Sequence, residues 1–150
     1  MRHAMGLLVL AGLAPPVHAL GVRDDVSAVV NRYVDLFDRG DASALAHDIY
    51  RIDGVSADAK QTELAAQFKH LTDEQFSNIE LYGVDICPAG DDHATALMRF
   101  GLRYTFGGLM PPGDQAKSLD LAKTADGWRI TGETAAPFDQ KLSCKDDPAP

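Results

Sequence analysis

Residues 94–106, ATALMRFGLRYTF, decide the reading of this chain. Ala94, Ala96, Met98, Phe100, Leu102, Tyr104 and Phe106 fall on one face of an extended segment. Thr95, Leu97, Arg99, Gly101, Arg103 and Thr105 fall on the other. Alternation of this length is the period-two signature of a strand with one buried and one wetter face. The run exceeds the usual strand of about five or six residues, so it is expected to bend. Gly101, near its middle, eases a kink or bulge. A long, bent, one-sided strand implies a curved sheet closing over something.

Its neighbours are strands too. Upstream, Ile79 and Leu81 alternate in one phase and Val84 and Ile86 in the other, so a β-bulge is expected at Gly83. Residues 88–92 turn that strand into the central one. Downstream, residues 107–113 (GGLMPPG) form a loop, in which Leu109 and Met110 need a pocket mouth or a partner to cover them. Leu119 and Leu121 begin a third strand, Asp126-Gly127 turn it, and Trp128 and Ile130 belong to a fourth.

The preceding residues follow the helical period. In residues 24–39, Val26, Val29, Val30, Tyr33, Val34 and Phe37 form an apolar stripe, with Gly40 as the stop. Asp41 caps a short second helix that turns Ala44, Leu45 and Ile49 inward. Ile49 to Asp53 reads as a brief strand and residues 54–58 as a turn. Asp58 and Gln61 make a capping box for a third helix, whose inner face carries Leu64, Ala65, Phe68 and Leu71. Three helices followed by a four-strand antiparallel meander is an α+β layout, with the helices laid across one face of a curved sheet.

The first 19 residues read as a secretory signal peptide: a short basic start, an apolar run over residues 5–13, and small residues before the cut after Ala19. The run is too short to span a bilayer. Removing it takes away Arg2 and no acid, leaving 13 bases against 22 acids, a net charge of −9. An acidic chain without a basic stripe is a poor partner for nucleic acid or an anionic membrane. Export places the protein in the periplasm or outside the cell and makes a Cys87–Cys144 disulfide the default pairing. Residues 22–134 form one domain and residues 135–150 a polar tail. The spacings suggest no metal site, and nothing calls for a cofactor.

The run Asn31-Arg32-Tyr33-Val34-Asp35-Leu36-Phe37-Asp38-Arg39-Gly40-Asp41, the alanine-rich second helix and the segment Asp126-Gly127-Trp128-Arg129-Ile130 resemble the nuclear transport factor 2-like superfamily. The resemblance implies a cone-shaped, cystatin-like α+β domain, commonly homodimeric. It covers catalysts such as ketosteroid isomerases, SnoaL-like cyclases and dehydratases, and many non-catalytic binding domains. Tyr33 matches the isomerase tyrosine that donates to a developing enolate. Asp120, in Ser-Leu-Asp-Leu, could match the protonated aspartate that assists it. Asp53 is the nearest candidate for the proton-moving base, in a segment too short for the family's usual hairpin. The outer sheet face implied as a dimer contact carries Leu97, Arg99 and Arg103.

Enolisation needs donors where negative charge appears, and an aspartate donates at neutral pH only if an apolar site keeps it protonated. Strand register therefore matters. A two-residue Asp126-Gly127 turn pairs Trp128 with Ala125, Ile130 with Lys123 and Asp120 with Glu133, leaving Asp120 on the polar side. A three-residue loop would turn Asp120 onto the face of Trp128 and Ile130. The hydrophobic pattern favours the first. Tyr33 then reads foremost as a core residue and Asp53 as a turn former.

The expectation is an exported, non-catalytic domain that binds a small apolar molecule or a protein partner. Its pocket would be lined by Tyr33, Phe37, Phe68, Met98, Phe100, Tyr104 and Trp128. The alternatives are an isomerase, cyclase or dehydratase using Tyr33 with a buried carboxylate, and a dimeric interaction module with a filled cone.

Overall fold

The structure, a computed structural model, describes residues 17–105 and 113–144, with side chains from residue 21 onward. Phe106, Leu109, Met110 and most of the signal sequence lie outside the described residues. Helix α1 spans Val17–Asp38, α2 Ala42–Ala44 and α3 Ala57–Asp73, with a π-helical turn at Leu45–Ile49. Strands β1 (Phe76–Ala89), β2 (His93–Tyr104), β3 (Asp114–Thr124) and β4 (Gly127–Ala136) form one antiparallel sheet in the order β1-β2-β3-β4. Among the described residues no helix is long and apolar enough to cross a membrane.

Helix α1 begins earlier than the apolar stripe suggests, at Val17, before the expected cut after Ala19. Val22, Val26, Val30, Tyr33 and Phe37, three or four residues apart, are buried on its inner side. Gly40, at φ 64°, stops it. The Gly40 amide donates to Phe37 O (3.0 Å) and the Asp41 amide to Leu36 O (3.0 Å), the paired bonds of a Schellman end. Asp41 caps α2, accepting from the Ala44 amide at 2.9 Å. The cap of α3 is Ser56, whose hydroxyl accepts from the Ala59 amide at 3.1 Å, and not Asp58. Ala65, assigned above to the inner face of α3, is exposed; Leu64 and Leu71 are buried.

The bulge in β1 is one residue from its expected place. Leu81 pairs with Phe100 and Gly83 with Arg99, so Tyr82 is the extra residue. On β2, Gly101, which pairs with Glu80, makes room for the Tyr82 side chain: a Cβ there would strike its hydroxyl. The β3–β4 turn has two residues, as in the first register considered, but they are Ala125 and Asp126, one position earlier than expected. Thr124 pairs with Gly127, Lys123 with Trp128 and Leu121 with Ile130; a bulge at Thr131 then brings Asp120 opposite Gly132 and Leu119 opposite Glu133. Leu119, Leu121, Trp128 and Ile130 share the buried face as expected, and Asp120 is exposed on the other.

Residues 137–144, read above as part of a polar tail, fold back against the outer face of the sheet. Arg99 donates through Nε to Phe138 O (3.1 Å) and through Nη2 to Gln140 O (2.5 Å). The Tyr82 and Phe138 rings meet edge to face at 6.1 Å. Cys144 is disulfide-bonded to Cys87, closing 57 residues of sequence.

Two substitutions test these assignments. Ser56→Ala should lower stability by about 1 kcal/mol and Asp58→Ala by distinctly less, measured by urea unfolding; the reverse order would move the cap back to Asp58. Replacing both cysteines by serine should remove up to about 4 kcal/mol on the chain-entropy account. It should also speed hydrogen exchange along β1 and β2, and unchanged exchange there would mean that the tail is held without the bond.

Candidate functional site

The polar residues that the fold brings together are Tyr33, Tyr50, Lys60, Lys117 and Glu133. Each arrives from a different element. Tyr33 is on the inner stripe of α1. Tyr50 follows the π-helical turn, in which its amide reaches back five residues to Leu45 O at 3.1 Å. It then pairs with Ile130 of β4 in a parallel bridge, with the Arg51 amide donating to Ile130 O at 2.8 Å. Lys60 is on the first turns of α3, on the side of Leu64. Lys117 lies in phase with Leu119 and Leu121 on β3. The Thr131 bulge puts Glu133 on the same inner side.

The Tyr50 hydroxyl donates to Glu133 Oε2 at 2.9 Å, and Lys117 Nζ donates to the same oxygen at 3.3 Å. Lys60 Nζ lies 3.5 Å from Glu133 Oε1, donates to Glu63 Oε1 at 2.9 Å, and sits 4.5 Å from the centre of the Tyr50 ring. Tyr33 stands beside Tyr50 and Lys117, its ring meeting that of Tyr50 edge to face at 6.2 Å. Burial, the largest influence, pushes both phenols above the ordinary tyrosine value. Burial also pushes the Glu133 carboxyl up, but Lys117, the Tyr50 hydroxyl and Lys60 outweigh it and hold Glu133 below its usual range. Burial pulls Lys117 down; Tyr33 and Glu133 outweigh that and hold it above the usual lysine value.

This arrangement gives neutral phenols, a charged lysine and a weakly basic carboxylate. None of these shifts moves a group toward neutral pH, where a general acid or base works best. The donors are directed at Glu133.

Beside the cluster, a cavity of about 210 Å³ opens between the π-helical turn, the following loop and α3. His47, Tyr50, Arg51, Ile52, Val55 and Lys60 form most of its wall. It is below the roughly 300–1,000 Å³ typical of drug-sized ligand sites.

The residues singled out from the sequence are distributed differently. Asp53 is exposed in the turn before Gly54, and Asp120 is exposed on the outer sheet face, with Gly132 opposite. Both stand at the surface, whereas Tyr33 is buried in the core. Tyr33, Phe37, Met98, Phe100 and Trp128 are buried in the hydrophobic core, with Phe68 partly buried against it. The Phe37 ring meets Phe68 at 5.0 Å and Phe76 at 5.9 Å, and Phe76 meets Tyr104 at 6.2 Å. The cavity shares none of the seven residues expected to line a pocket. Leu97 is wholly buried within the chain. Arg99 also holds Asp85 at 2.9 Å, and Arg103 donates to Glu80 at 2.6 Å and to the Tyr82 hydroxyl at 3.0 Å. Among the described residues no group of three His, Cys, Asp or Glu side chains could hold a metal.

No protein-family model matches the chain, and no curated protein matches it by sequence. Solved structures do. An NTF2-like protein with a cystatin-like fold from Novosphingobium aromaticivorans is 23% identical, with a TM-score of 0.63 over 81% of this chain and 85% of that one. A nuclear transport factor 2-like superfamily protein from Salmonella enterica serovar Typhimurium is 18% identical, with a TM-score of 0.57 over 86% and 99%. An NTF2-like protein of unknown function from Shewanella oneidensis is 20% identical, with a TM-score of 0.58 over 76% and 98%. The chain therefore has the nuclear transport factor 2-like, cystatin-like cone fold: three helices on a curved four-strand sheet. At these identities the likeness is one of fold.

Glu133→Gln tests the cluster. It takes the shared carboxylate from the part-buried Lys117 and from the buried Lys60, which keeps Glu63, and should cost about 2 kcal/mol at pH 7. Because the folded Glu133 value is depressed, its contribution is present above the unfolded glutamate pKa of about 4.3 and is lost as pH falls through the folded value. The variant should therefore lose less stability than the parent on going from pH 6 to pH 3. Equal acid sensitivity of the two proteins would show that Glu133 is not held ionised.

Proposed function

We propose that this protein is an exported, non-catalytic domain of the nuclear transport factor 2-like fold that binds a small molecule, with the cavity beside Tyr50 and Lys60 as its site. One observation carries the reading: the groups suited to acid–base chemistry are paired with one another around Glu133, while the cavity beside them is open. Enolisation by Tyr33 would need an acceptor position beside its hydroxyl and a base poised to take a proton. Here the carboxylate that faces the phenols is stabilised in its ionised form, which weakens it as a base. The expected apolar ligand is supported only at the cavity rim, where Ile52 and Val55 supply apolar surface.

Export rests on the signal sequence and agrees with the Cys87–Cys144 bond. A second reading, a dimeric interaction module with a filled cone, draws on the tightly packed aromatic core and on the half-exposed rings of Tyr82 and Phe138 on the outer face.

Native mass spectrometry of protein recovered from the host envelope addresses both. The expected result is a chain beginning at Leu20, with the disulfide formed and a small molecule retained. A ligand-free dimer, with a melting temperature unmoved by a panel of small compounds, would favour the interaction module and remove the binding reading. A chain that retains residues 1–19 in the cytoplasm would remove export.

A further inference from the structure

We infer that the cavity beside Tyr50 and Lys60 is a site for a small carboxylate with a short apolar body; this rests on the binding reading above and names its ligand class. The chain carries 22 acids against 14 bases, yet the wall of this cavity holds His47, Arg51 and Lys60 and no acidic residue. The carboxylates that face these side chains stand outside the wall. Glu63 and Glu133 take Lys60, Asp126 lies 3.6 Å from Arg51, and Asp58 lies 3.7 Å from His47.

The last two separations exceed the 2.7–3.2 Å typical of N–H···O hydrogen bonds. Neither acid therefore saturates its partner, and the Arg51 guanidinium keeps its planar pair of donors for a bidentate anion. Lys60 is 5% exposed and its charge is balanced by Glu63 and Glu133, so it forms a fixed part of the wall, and the cationic donors left for a ligand are those of Arg51. The Ser56 hydroxyl, whose oxygen accepts from the Ala59 amide, keeps its proton for a further donor contact.

The rest of the wall is apolar. Val55 is 41% exposed and Ile52 partly buried, and together they offer a lip that an alkyl group would cover. The volume, about 210 Å³, limits the occupant to a few heavy atoms beyond the carboxylate. A bare inorganic anion would satisfy the bases and leave the lip uncovered, so the carboxylate is favoured over phosphate.

The test is a titration of the ¹⁵N-labelled, disulfide-bonded chain with butyrate, its neutral isostere butyramide, and inorganic phosphate, followed by amide shifts. Butyrate should move the amides of residues 47–60 saturably, and butyramide and phosphate should bind at least about tenfold more weakly. Arg51→Gln should weaken butyrate about tenfold, the loss of a charge-assisted contact. Its side chain is 58% exposed, so the fold should be unchanged. Val55→Ser should weaken butyrate several-fold and leave phosphate unaffected. Butyramide or phosphate matching butyrate at this cavity would overturn the carboxylate class while leaving the binding reading in place. Shifts confined to other surfaces would overturn the site. No saturable shift with any probe, together with no ligand retained from the host, would remove both.

Discussion

Strand β2 has to be covered on both faces, and the remaining architecture follows from that. Leu97 and Met98 are consecutive residues, point to opposite sides of the sheet, and are both wholly buried. A strand buried on one side needs only one layer against it; this strand needs two. The helices supply the inner layer, where Met98 joins Ala96 and Phe100 in the core under α1. On the outer side the sheet has no helices. There, residues 137–144 cross back to Arg99 and are anchored by Cys144 at the edge strand β1. The disulfide is therefore more than a loop closure. It holds residues 137–144 at the place where a half-apolar outer face would otherwise meet water.

Much of this was legible in the sequence because the dominant signals are periodic. The alternation of β2, the stripe of α1 and the change of phase in β1 each specify an element and its buried side without knowledge of its partner. Misplacements occur where a single local interaction decides. Ser56 outcompetes Asp58 as a cap because its hydroxyl meets an amide three residues on. The pairing of β3 with β4 changes at Thr131, and no apolar pattern marks that bulge. Residues 137–144 looked like a polar tail because the Arg99 contacts are to backbone carbonyls, which composition does not reveal.

The polar cluster was less legible, for reasons that differ by residue. Lys117 stands in phase with Leu119 and Leu121, and Lys60 lies four residues before Leu64. A charged residue in an apolar register was a signal for each. Glu133 gave none, because its inward direction depends on the bulge. Tyr50 depends on the π-helical turn, whose extra residue per turn moves the end of the segment by one position and sets the ring beside β4. Asp120 and Asp53 drew attention through motif context. Yet one lies on the sheet face opposite Trp128 and Ile130 and the other in an exposed turn, so neither points into the interior.

A charge set such as Lys60, Lys117 and Glu133 is costly to bury, and hydrophobic residues of similar volume would often stabilise a core as well or better. Its geometry indicates what the cost supports. Glu133 receives the Tyr50 hydroxyl and one lysine on Oε2 and a second lysine at Oε1, so its position is set from three directions. Lys60 is fixed by that carboxylate and by the Tyr50 ring. Tyr50 is fixed by the backbone bridge to Ile130. The chain of constraint runs from a sheet strand, through a phenol and a carboxylate, to an ammonium group on a cavity wall. A core made of leucines would fix none of these polar groups beside the cavity. On the binding reading proposed above, the cluster serves as a rigid support for the wall that Lys60 and Tyr50 share.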